Sequence, residues 1–319
     1  MPNNIFARLA MRTRFEIVIA DEIDPADARA ASEEAFDEIE RLESQLSAYR
    51  PESALAYLNA HAAIETVRVE PRLFKLLQRA MELCEQTQGA FDISAGPLID
   101  CWGFSDPGGA GLDLKIGSAG FEEQLALARE LVGMRANVEL DSQALTVRFA
   151  HRGVRLDPGA IGKGFALDCA MEILRDAGIR NALLHGGTSS VCAMGAPPGA
   201  AGWRIAIQNP LDPGAHLAEA CLQNRSLGVS AVHGKSFRAD GRRLGHVIDP
   251  RSGRPVANSV LAAFVTESAA AADAFSTALL VLGAEGMPSL EQTAPAASML
   301  CVAEDSKMRM SGSSFAPRP

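Results

Sequence analysis

The run Leu156-Asp157-Pro158-Gly159-Ala160-Ile161-Gly162-Lys163-Gly164-Phe165-Ala166-Leu167-Asp168 concentrates groups that can do chemistry: acids, a lysine and three glycines within one short turn. Glycine lets a backbone come close to a ligand, and the first N–H groups of a helix have no partners of their own. A strand-to-helix turn of this composition therefore suits an anion such as a phosphate. Its spacing, Gly-x-x-Gly-x-Gly, is neither the dinucleotide fingerprint nor a Walker A loop, since no Ser or Thr follows Lys163. Alone, such a turn is more often only a tight connection.

Other reactive groups lie far from it in sequence. Asp273 and Thr277 are four residues apart in an alanine-rich helix, so their oxygens leave one face. That composition also predicts the close approach of another element, and a solvated Asp–Thr pair is the alternative. Asp92 sits inside the apolar segment Gly89 to Leu98, where its carboxylate needs a partner or solvent. A helix-capping role fits it as well as a functional one. His185, beside Gly186-Gly187, reads as a core histidine bonded to backbone, and Tyr49 reads as a packing residue.

Val154 to Leu156 reads as the end of a strand, and Phe165 to Ala177 as an amphipathic helix stopped by Gly178. A helix from Pro25 to about Leu46 carries Ala28, Ala31, Ala35, Ile39, Leu42 and Leu46 on one face. Ser53 caps a short helix through Asn59, and Pro71 precedes another over Leu73 to Gln88. Phe121 to Leu131 forms a further helix, and Val138 to Leu156 a hairpin. Asn181 to Val191 is read as one strand ending in a second glycine step. Strands follow at Trp203 to Gln208, Leu217 to Leu222 and Gly228 to Val232, then a hairpin turning at Asp240-Gly241 that runs into His246 to Pro250. Ser259 to Val265 is a strand, Ser268 to Leu282 a helix closed by Gly283, Ser298 to Ala303 a strand, and the tail reads as loose from about Ser311.

Composition narrows the function classes. The 319 residues are 47% hydrophobic and 22% charged, enough for a large core and far from disorder. A net charge of −9 argues against a nucleic-acid or anionic-membrane surface, because both need clustered Lys and Arg. The six cysteines are scattered with no Cys-x-x-Cys pair, which speaks against zinc sites and disulfide frameworks. No run reaches transmembrane length, and Met1 to Arg14 has no apolar core of a signal peptide. The expectation is a cytoplasmic protein, or one whose leader has been removed.

Five separated stretches converge. They are Gly89-Ala90-Phe91-Asp92 with Pro97-Leu98 and Trp102-Gly103-Phe104; Asp157 to Asp168; Gly186-Gly187; His246-Val247-Ile248-Asp249-Pro250 with Gly253 and Pro255-Val256; and Ala272-Asp273-Ala274-Phe275-Ser276-Thr277-Ala278. In order and spacing they resemble the ApbE family of FAD:protein FMN transferases, from about Met11 to Ala303. The resemblance implies an α+β fold of two lobes, with mixed or antiparallel sheets and helices and FAD in a cleft between the lobes. It implies one unit over residues 11–305, with residues 306–319 as a C-terminal strand or tail.

The activity implied is magnesium-dependent cleavage of FAD, with the FMN half passed to a Thr or Ser hydroxyl of a target flavoprotein and AMP released. Two unit charges about 4 Å apart repel by roughly 4 kcal/mol at an effective dielectric near 20, so Asp92, Asp157 and Asp273 around a diphosphate would require a cation. By position in the family pattern, Asp273, Thr277 and the Ala160 carbonyl match magnesium ligands. Met11, Tyr49, Ala90, Phe91, Asp92, Asp157, Lys163 and Val247 match positions that hold the flavin nucleotide. His246 matches a residue needed for transfer, and Asp249 is expected to orient it or the acceptor hydroxyl.

The chain departs from the family pattern at three places. Gly186-Gly187-Thr188 stands for Gly-Gly-Asp or Gly-Gly-Asn, Met11-Arg12-Thr13 for Met-Gly-Thr, and Ala231-Val232-His233-Gly234-Lys235 for the Ser-Gly-Asp-Tyr element. Two alternatives to transfer stay open on sequence alone: a magnesium-dependent FAD pyrophosphatase giving FMN and AMP, and an FAD-binding protein without turnover.

Overall fold

The computed structural model describes residues 4–48, 50–105, 116–210, 212, 214–232, 236–239 and 242–317. Local sequence signals set its helices. Helix α1 (Pro25–Leu46) starts on its proline, with Asp24 Oδ1 accepting from the Ala26 N–H at 2.8 Å, and all six residues expected on its apolar face are buried. Helix α2 (Ala54–His61) is capped by Ser53, and α3 (Pro71–Gln86) begins at Pro71. Helix α4 (Gly162–Asp176) follows the glycine-rich turn. In α5 (Ala269–Leu282) Ser268 Oγ accepts from the Ala271 N–H, and Gly283 at φ +70° ends the helix.

Eight strands form the main sheet: β1 (Asn4–Ala10), β2 (Thr13–Ile19), β3 (Ala182–Gly186), β4 (Ser190–Met194), β5 (Arg225–Ala231), β6 (Ser259–Thr266), β7 (Ser298–Ala303) and β8 (Met308–Ser311). They lie side by side in that order, each antiparallel to its neighbours. The fold is α+β. One face carries α1, α3, α4 and α5, with Phe15, Ile17 and Ile19 of β2 and Phe264 of β6 pointing into the larger core. The other face is covered by a three-stranded sheet of 203–208, 216–222 and 315–317, packed on Leu261, Ala263 and Val265. Because both faces are covered, β6 is apolar at nearly every position instead of alternating. Among the described residues no single helix is long and apolar enough to cross a membrane.

Three local expectations are revised. Val154 to Leu156 is no strand: Arg155 makes one isolated parallel bridge to Ala95. The reason lies next door, where the Asn59 side chain takes both the N–H and the carbonyl of Leu156, at 2.8 and 3.0 Å. The stretch 181–191 divides into β3 and β4, which reverse at Gly187 with φ +64°, a left-handed conformation that favours glycine. The chain end is not loose at Ser311, since Phe315–Pro317 pairs with the strand at 216–222.

Candidate active site

The alanine-rich helix α5 is held unusually close by two glycines. A Cβ added to Gly164 would lie 2.2 Å from the Ala269 carbonyl oxygen, and one added to Gly228 on β5 would lie 2.2 Å from that of Ala272. With no side chain at either position, α5 settles into the angle between α4 and the sheet. The close approach read from its composition is thus present, and it delivers Asp273 to the first turn of α4.

There the Asp273 Oδ2 accepts from the Gly164 N–H at 2.8 Å and from Ser190 Oγ at 2.9 Å. The start of α4, expected to receive an external anion, therefore receives one of the protein's own carboxylates. Asp168 of α4 returns the arrangement, accepting from Ser268 Oγ and the Ala269 and Ala270 N–H groups at 2.7–2.9 Å. Each helix is capped by an acid from the other. Burial pushes the Asp273 carboxyl up to about 7, against the opposing pull of Lys163, Ser190 and the Gly164 N–H. Asp273 Oδ1 has no hydrogen-bond partner among the described residues.

One turn further along α5, Thr277 Oγ1 donates to the Asp273 carbonyl at 3.1 Å and lies 3.0 Å from Ser230 Oγ. The loop before α4 is fixed from several sides. The Asp157 N–H donates to the Ile93 carbonyl at 2.7 Å, Asp157 Oδ1 accepts from the Gly159 N–H at 2.9 Å, and the Pro158 carbonyl accepts from Ile161 and Gly162. Asn59, whose side chain mimics a strand partner for Leu156, anchors the same loop from α2. Nothing in the sequence singled out Asn59, Ser190 or Ser230, because their roles depend on partners 97, 83 and 47 residues away.

These groups share a cavity of about 590 Å³, within the usual range of roughly 300–1,000 Å³ for small-molecule sites. Asp157, Ala160, Lys163, Asp273 and Thr277 line its polar part. Ala90, Phe91, Ile99, Phe104 and Val247 supply apolar surface, and His246, exposed, also reaches it. Trp102 holds the His246-bearing segment in place by donating from Nε1 to the Gly253 carbonyl at 2.7 Å. Among the described residues no three His, Cys, Asp or Glu side chains gather into a metal cluster.

Three candidates stand elsewhere or face otherwise. Asp92 borders the cavity, but its carboxylate is taken internally, accepting from the Ser94 N–H and Oγ at 2.7 and 2.6 Å and from the Met134 N–H at 3.1 Å. It answers the capping alternative, because a buried acid must have its oxygens met by donors. Asp249, expected to orient His246 or the acceptor hydroxyl, takes a neighbouring arginine as its partner. Its two oxygens accept from the Arg251 guanidinium at 2.9 and 3.0 Å, which raises the arginine's pKa, and the pair shapes the turn before Gly253. Met11, at φ +47° in the β1–β2 turn, packs on the main core and is not part of the cavity wall. Tyr49 lies outside the described residues. His185 Nδ1 lies 3.0 Å from the Gly187 carbonyl, the backbone partner read for it.

A model of the ApbE family matches residues 11–300. The chain belongs to the ApbE family. It is 32% identical to an FAD:protein FMN transferase of Treponema pallidum, over 96% of this chain and 86% of that one. It is also 32% identical to the FAD:protein FMN transferase of Rhodobacter capsulatus, over 77% of this chain but only 45% of that longer protein. The crystal structure of the ApbE protein of Thermotoga maritima superposes with a TM-score of 0.85 at 26% identity, covering 97% of both chains. ApbE membership makes this chain a transferase of the flavin-transfer kind.

Against the ApbE pattern, the departures fall unevenly. Thr188 and Ser189, which follow the second glycine step, line the same cavity as Asp273. His233 to Lys235 lie outside the described residues. A second hollow of about 530 Å³ opens behind α4, between it and α3, where Lys75 pairs with Glu172 and Arg79 with Glu82. Of the five stretches that carry the resemblance, only Asp157 to Asp168 borders it among the described residues, through Phe165 and Asp168.

Proposed function

We propose that the chain cleaves FAD in a Mg²⁺-dependent reaction and transfers the FMN half to a Thr or Ser hydroxyl of an acceptor flavoprotein, releasing AMP. The observation that carries this reading is the common wall: ten of the thirteen candidate residues border one cavity despite lying as far apart as Ala90 and Thr277. The relatives' shared name, FAD:protein FMN transferase, supports the same nucleotide.

The donor set suits Mg²⁺. Asp273 Oδ1, Thr277 Oγ1 and the Ala160 carbonyl are hard oxygens, and Mg²⁺ binds through one or two carboxylates while keeping waters and substrate phosphates. A carboxyl raised by burial to about 7 gains most from a nearby cation. When bound, Mg²⁺ would neutralise the diphosphate and stabilise charge on the departing AMP. Lys163 would add a positive charge to the phosphates, and the apolar surface around Phe91, Phe104 and Val247 would take the flavin ring. The acceptor oxygen attacks the phosphorus of the FMN half, the bond from that phosphorus to the AMP oxygen breaks, and AMP carries the electron pair away. His246, exposed at the cavity, is proposed to take the hydroxyl proton.

The test incubates the chain with FAD and MgCl₂, with and without a domain bearing the acceptor Thr, and follows AMP and covalently bound flavin. Transfer requires AMP and labelled acceptor together. AMP without acceptor would instead mark a pyrophosphatase, and no AMP in either arm a binding protein.

A further inference from the structure

We propose that Ser190 is a positioning residue for the cation site, holding the Asp273 carboxylate so that Oδ1 is turned to the metal. The inference rests on the reading of Asp273 as a metal ligand. Ser190 is fully buried at the start of β4, and its Oγ donates to Asp273 Oδ2 at 2.9 Å. The Gly164 N–H donates to the same oxygen at 2.8 Å. Two donors on Oδ2 leave Oδ1 as the carboxylate oxygen without a partner among the described residues, on a side chain that borders the cavity. A carboxylate on a helix can rotate about its terminal torsion, which is broad and roughly two-fold. The backbone donor on α4 and the hydroxyl on β4 approach from different elements, so together they fix both the rotation and the tilt. Outer partners of metal ligands commonly change metal affinity about 10- to 100-fold when removed.

The experiment titrates Mn²⁺ into the full chain in the presence of FAD, without acceptor, and counts free Mn²⁺ by electron paramagnetic resonance. Ser190→Ala, which removes one oxygen and adds no atom, should weaken Mn²⁺ binding by about 10- to 100-fold. FAD affinity, read from flavin fluorescence, should stay near that of the wild type, while the thermal midpoint should drop by about 2–4 °C for the buried hydrogen bond lost. Ser190→Cys, whose thiol is a weak donor, should fall between. Wild-type Mn²⁺ affinity in Ser190→Ala, alongside its loss in Asp273→Asn, would overturn the proposal alone. A lowered thermal midpoint with unchanged Mn²⁺ affinity would likewise overturn it, in favour of a purely structural hydroxyl. If Asp273→Asn binds Mn²⁺ like the wild type, the ligand assignment falls and takes this inference with it.

Discussion

Asp273→Asn tests the electrostatics of the site through stability, without any turnover. In the folded chain burial raises this carboxyl from its ordinary 3.8 to about 7. The folded state therefore holds a proton that the unfolded state has released throughout that interval. Stability from this group is fully present below about pH 4, falls as pH rises, and is gone above about pH 7. At roughly 1.4 kcal/mol per pH unit, the interval corresponds to about 4 kcal/mol. Asparagine keeps an oxygen for Ser190 and the Gly164 N–H but does not titrate. Urea unfolding in EDTA from pH 4.5 to 8 should then show the stability of the wild type falling relative to Asp273→Asn by about 3–4 kcal/mol. Taking the difference cancels the other carboxylates, whose titration the two chains share. Saturating MgCl₂ at pH 8 should restore the wild type, by about 2.7 kcal/mol at a hundred times the dissociation constant, and leave the variant unmoved. Parallel curves for the two chains across the whole range would refute the buried-acid reasoning.

Gly228→Ala should cost about 1–3 kcal/mol of stability in urea unfolding, because its Cβ meets the Ala272 carbonyl at 2.2 Å and must push α5 off the sheet; an unchanged midpoint would mean that α5 is not seated as described. Asp168→Ala strips three donors of their acceptor at the start of α5 and should lower stability by about 2 kcal/mol, which a wild-type urea midpoint would contradict. His246→Ala should keep FAD binding, read by flavin fluorescence, and lose covalent transfer by about 10²- to 10⁴-fold; a wild-type labelling rate would remove His246 from the proton transfer.

By itself the sequence determined what is set locally. Pro25, Ser53, Pro71 and Ser268 mark helix starts because a cap or a fixed φ acts within one turn, and the buried stripe of α1 follows from its periodicity alone. The order of short motifs was enough to read the family. What only the tertiary structure decided is which partner each polar group takes. The start of α4 could have waited for a phosphate, yet it binds Asp273, because Gly164 and Gly228 let a helix more than a hundred residues later in the chain come within contact. Asp92 and Asp249 carry the right chemistry for a site, and the fold gives them Ser94 and Arg251 as partners. A buried or half-buried carboxylate must be satisfied by whichever donor the fold brings nearest, and nearness across 109 residues, as between Gly164 and Asp273, is a property of packing that no local pattern encodes.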